Sequence, residues 1–84
     1  MYSDRIAEQA ANLCHNIAWL RRQSGLSQKE MALTLGLGVR SLQRIEKGQI
    51  PESLRILHVH LLAELFGVSV KRLFAERLGA AEIS

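Results

Sequence analysis

The sequence predicts an all-α fold, and three observations carry that expectation. Ile6, Ala10, Leu13, Ile17 and Leu20 recur at spacings of four, three, four and three, which gathers them into one stripe of a helix. Later stretches open on helix-start residues: Ser27 with Glu30 three positions on, and Ser69 ahead of Val70. Each predicted helix but one also runs into a glycine, where helices commonly stop, and the exception is followed by Gly25 after Ser24.

Taken in order, Ser3 is a cap candidate and Asp4 suits the positive end of a first helix running to Gln23. Asn12 is another cap candidate, so one long helix and two shorter pieces are both open. Trp19 falls on the other side from the apolar stripe, in line with His15 and Arg22. There it either lies under a terminal segment or later helix, or meets another chain.

Ser27 and Glu30 form a capping box, and Leu26 with Met31 a hydrophobic staple. The second helix carries Met31, Ala32 and Leu35 inward and ends at Gly36. A third runs from Val39 to Lys47, with Gly48 as its cap. At 100° per residue, Leu42 and Ile45 point one way. Val39, Arg40, Gln43, Arg44 and Lys47 fall within an arc of about 140° on the other side. No acid lies on that outer face. Ile50-Pro51 marks a turn, and an unusually apolar helix is expected from Ser53 to Phe66, ended by Gly67. Ser69 caps a last helix through Val70, Leu73, Phe74 and Leu78, and Gly79 opens a tail, AAEIS, expected to fray.

Length and composition narrow the function. Eighty-four residues, 48% of them hydrophobic, make a single domain with an ample core. The lone Cys14 excludes an internal disulfide and fits a reducing compartment. The first residues lack the basic flank and apolar run of a signal peptide, and no apolar stretch approaches the roughly 20 residues of a membrane span. A cytoplasmic protein is expected. The charge is uneven: residues 21–55 hold seven basic and three acidic residues, net +4, while the remainder holds four and five, net −1. Such a footprint suits a polyanion. His58 and His60 stand two apart on a helix and do not share a face, and with His15 and Cys14 they make too incomplete a set for zinc. Neither catalytic residues nor a metal or other cofactor are expected.

The pattern Gln28, Ala32, Leu35, Gly36, Leu37, Leu42, Ile45 resembles the helix-turn-helix of the phage repressor, Cro and Xre-type regulators, a lambda-repressor-like domain. The phrases LSQKEMALTLG, RIEKG and ELFGVSVKRLF are similar to that family too, and the resemblance covers roughly residues 13 to 75. It implies a compact five-helix domain over residues 1–84, its motif at 27–47, with an N-terminal helical extension at about 3–12. It implies that the helix from Val39 enters the major groove of double-stranded DNA. Val39, Arg40 and Arg44 match base-facing positions of the family, with Gln43 beside them. Gln28 matches a phosphate-contacting position, and Lys29, Lys47, Gln49 and Arg55 are further candidates for the DNA backbone. Arg21 and Glu46 match a pair that joins the first helix to the end of the reading helix.

Two departures are visible. Gly38 stands where the family usually has a Ser or Thr cap, and the segment after Gly48 is longer than usual. The function expected is a sequence-specific transcriptional regulator acting as a homodimer on a palindromic operator, its dimer surface within about 53–78. A protein-interaction module on the same fold, or an antitoxin that binds a toxin as well as DNA, are the alternatives. An exposed Trp19 would suit the interaction module.

Overall fold

A computed structural model describes residues 2–79, with side chains from residue 4 onward. The stripe that begins at Ile6 lies in one unbroken helix, α1 (Tyr2–Gln23). Ser3 is therefore inside the helix and not ahead of it, and Asn12 does not interrupt it. The reason at Asn12 is tertiary. Its amide nitrogen donates to the Phe74 carbonyl at 2.9 Å, and its oxygen accepts from Arg77 Nε at 3.3 Å. A side chain occupied by another segment is not free to compete for its own backbone.

Leu13, Ile17 and Leu20 of the stripe are buried, but Ile6 is 54% exposed because α1 outruns the core at its start. After the turn at Gly25, α2 (Gln28–Leu35) begins with the expected capping box. Ser27 Oγ accepts from the Glu30 amide at 3.0 Å, and Glu30 Oε1 accepts from the Ser27 amide at 2.8 Å. Gly36 closes the helix at φ 75°, and the Leu37 amide returns to the Ala32 carbonyl at 2.9 Å. Gly38, extended and with no side chain to give, opens α3 (Val39–Glu46). Lys47 is its C-cap, one residue earlier than expected, and Gly48 follows in the left-handed conformation.

The next helix, α4 (Ile56–Phe66), starts three residues later than the expected Ser53. The Leu54 amide closes a turn onto the Pro51 carbonyl, and Ser53 Oγ lies 2.6 Å from Ser41 Oγ on α3. Residues 51–55 are thus drawn back toward α3. Arg55 becomes the N-cap, its amide donating to His58 Nδ1 at 2.9 Å, which gives that histidine a structural task. α5 (Val70–Ala75) is capped by Ser69, whose Oγ accepts from the Arg72 amide at 3.1 Å.

α5 stops short of Leu78, yet Leu78 is buried. Asn16 explains both facts. It is fully buried on α1, and its amide donates to the carbonyls of Leu73 and Glu76, each at 2.8 Å, while its oxygen accepts from the Leu78 amide at 2.7 Å. The chain leaves the helix and is clasped along α1. His15 Nε2 lies 3.2 Å from the Leu78 carbonyl, and Gly79 sits so close that a Cβ there would run into the Trp19 indole. Trp19 is half-buried, packed on the core under this segment, as the cover reading expected. The tail 80–84 lies outside the described residues.

α1 packs against α3 and α5, α2 against α3 and α4, and α4 against α5. Leu42, Ile45, Met31, Ile17, Leu62 and Leu73 sit at the centre, each less than 2% exposed. No helix among the described residues is long and apolar enough to cross a membrane.

Candidate nucleic-acid interface

α3 has eight residues, fewer than the roughly 12–15 an isolated helix needs in water, so packing must hold it. Leu42 and Ile45, both 0% exposed, fix its inner face, each contributing about 1.5–3 kcal/mol by burial. Its far end is fixed by charge. Arg21 on α1 grips both oxygens of Glu46, Nε to Oε2 at 2.5 Å and Nη2 to Oε1 at 2.9 Å, while its Nη1 donates to the Leu26 carbonyl at 2.9 Å. The side chains are 16% and 6% exposed, so this bridge is shielded from the solvent that weakens surface pairs. Burial pushes the Glu46 carboxyl up, but hydrogen bonds from Arg21 and Gln28, with the charges of Arg21 and Arg22, outweigh it and hold the group below the usual carboxylate range. The same partnership pushes the Arg21 guanidinium up.

With one face buried and one end braced, the other face of α3 is turned out. Arg40, Gln43 and Arg44 are exposed, and so is Lys47 beyond them. Val39 departs from the expected outward position: it is half-buried and packed on the core, leaving only part of its side chain at the surface. At the start of a helix an apolar side chain can lean back over the turn, and here the turn is Leu37-Gly38. The exposed set carries guanidinium and amide groups, which can meet both phosphate oxygens and base edges.

The expected backbone contacts are placed unequally. Lys29 is exposed in the first turn of α2, and Lys47 is exposed at the C-cap of α3. Gln28 is half-buried and already engaged. Its Nε2 donates to Glu46 Oε1 at 3.2 Å, and its Oε1 accepts from Gln43 Nε2 at 3.5 Å. Gln49 lines an open cleft of about 680 Å³ beside Arg44, Glu52 and Ser53. Arg55 is not in that cleft; it borders an apolar groove of about 340 Å³ with Ile6, Val59 and Phe74.

Some of this was not legible in the residues alone. The Gln28–Glu46 and Gln28–Gln43 bonds span 18 and 15 positions, and nothing local in the sequence signals them. The clasp by Asn12 and Asn16 was missed too, although two asparagines four apart on an apolar stripe are a usable signal of buried amides seeking backbone partners. No group of histidine, cysteine and acidic residues able to hold a metal occurs among the described residues.

Two short helices about a glycine turn, the second braced at its end and open on a basic face, define a helix-turn-helix domain. The chain belongs to the helix-turn-helix family of the Cro/C1 type, whose family model matches residues 17–73; these are DNA-binding regulators. Neither a curated protein nor a solved structure matches the chain.

Proposed function

We propose that this protein is a sequence-specific regulator of transcription that binds double-stranded DNA as a homodimer, placing α3 in the major groove of a palindromic operator. In this reading residues 1–84 form one DNA-binding domain of a cytoplasmic protein. The observation that carries it is the outer face of α3: Arg40, Gln43 and Arg44 are all exposed, with no acid among them, on a helix whose opposite face is wholly buried. Arg40 and Arg44 supply forks that fit guanine O6 and N7, Gln43 an amide that fits adenine, and the exposed part of Val39 a contact for a thymine methyl. Lys29, Lys47, Gln49, Arg55 and the remaining N–H of Gln28 serve the phosphates.

One module of this size reads few base pairs, so two copies about 34 Å apart supply affinity and specificity. The surface for pairing is on α4, within the 53–78 region, where Leu57, Leu61 and Leu65 are 75%, 38% and 50% exposed at spacings of four. The same stripe favours a second reading, a module or antitoxin that uses α4 to bind another protein. Selection from randomised duplexes tests the first reading. It expects one enriched two-fold sequence; wild-type protein that enriches none would overturn it.

A further inference from the structure

The apolar groove beside Arg55 is built largely from what this chain adds to its family. α1 contributes Ile6, Ala10 and Leu13, all of them outside the matched residues 17–73. The segment after Gly48, longer than is usual, contributes Ile50 and Leu54. Two features that set the chain apart therefore meet in one hollow. Among the described residues that line it, only Gln9 and Arg55 are polar and none is acidic. Ile6, Ile50 and Ile56 are left exposed along it.

Size and charge together say what fits. The volume of about 340 Å³ falls at the lower end of the roughly 300–1,000 Å³ that small-molecule sites occupy. An α-helix about 10 Å across would lie over such a hollow and not inside it. The surface suited to a second copy is elsewhere, since Leu57, Leu61 and Leu65 of α4 do not line the groove. The Arg55 guanidinium makes no hydrogen bond or ion pair with another described residue, so it is open to an outside anion. Apolar walls with one free cation at the edge match a molecule of the same pattern, an apolar body that ends in an anion.

We infer that this groove is a binding site for a small amphiphile, an alkyl carboxylate whose chain lies among the α1 and 50–59 side chains and whose head pairs with Arg55. The site goes beyond the reading of α3 and does not depend on it. Gln9 supplies an amide N–H for the second carboxylate oxygen. Where Arg55 also serves a DNA phosphate, head group and phosphate compete for one guanidinium.

The test titrates the full chain at neutral pH with hexanoate, octanoate and decanoate, each kept below micelle formation, and with octanol, followed by two-dimensional NMR. Shifts are expected at Ile6, Leu54 and Ile56. Affinity should rise about three- to tenfold with each added pair of methylenes, as burial of the chain requires. Octanoate should bind about 2- to 5-fold more tightly than octanol, the scale of a partly exposed ion pair, and Arg55→Gln should erase that difference. Ala10→Leu, which fills the groove from a helix position that favours both residues, should weaken octanoate and octanol alike by about fivefold or more. Shifts confined to Leu57, Leu61 and Leu65, an affinity indifferent to chain length, or equal binding of octanoate and octanol by wild type would each overturn the inference. Groove shifts that follow protein concentration and not ligand would place a second copy over the site and overturn it as well. None of these results bears on duplex selection, which tests the regulator reading separately.

Discussion

Glu46 shows how one residue can serve stability and presentation together. It is the last residue of α3, takes both arms of Arg21, and still offers an oxygen to Gln28. Because its folded carboxyl titrates below the ordinary value of 4.5, the folded state stays ionised at acidities where the unfolded chain takes up a proton. The stabilisation is thus complete above that ordinary value and is lost as pH falls through the lower, folded one. Thermal midpoints measured against pH should drop more steeply below about pH 4.5 for wild type than for Glu46→Gln, which has no carboxylate to protonate there. Parallel curves would show that the bridge contributes nothing to the acid limb. Asn16 is the uncharged counterpart: buried completely, it satisfies two carbonyls and one amide that would otherwise be unpaired inside the protein.

At the scale of the element, the turn between α2 and α3 rests on two glycines with opposite requirements. Gly36 has φ 75°, a conformation that side chains resist, although open space surrounds it. Gly38 has φ −72° and ψ 150°, which any residue adopts, and a Cβ there would also meet nothing within 4 Å. Gly36→Ala should therefore cost about 1 kcal/mol or more through backbone strain. Gly38→Ser should stabilise by a few tenths of a kcal/mol, by restoring a hydroxyl cap and restricting the unfolded chain. Urea unfolding midpoints of the two variants decide the matter, and a shift in the same direction for both would contradict this account of the turn.

At the scale of the molecule, the basic reading face and the apolar stripe of α4 belong to different helices, so they can be separated by mutation. Leu57, Leu61 and Leu65 are far more exposed than the core and lie along one side of α4. Sedimentation should show a dimer at micromolar concentration for wild type and a monomer for Leu57→Glu, with the thermal midpoint of the monomer little changed because Leu57 is 75% exposed. Loss of affinity for a two-fold operator should accompany dissociation. A Leu57→Glu protein that remains dimeric would move the pairing surface away from this stripe.

The sequence by itself marked the helical stretches of the fold and the motif at their centre. Period, caps and stops are local properties, and Ser27 with Glu30, Ser69, and the pair Leu42 and Ile45 express them within a few residues of one another. It also marked Arg40, Gln43 and Arg44 as outward-facing, since helical geometry alone separates them from Leu42 and Ile45. Only the tertiary structure decided that α1 continues through Asn12, that α5 ends at Ala75 and gives way to a non-helical segment held by Asn16, and that Trp19 is covered by it. It also decided that Val39 leans onto the core, that α4 begins at Ile56, and that Gln28 joins Glu46 to Gln43. Most of these turn on partners 12 to 65 positions apart, or on space left by other helices, and no local pattern says which partner a side chain will meet. Local chemistry chose the helices; the contacts between them chose what each polar side chain was free to do.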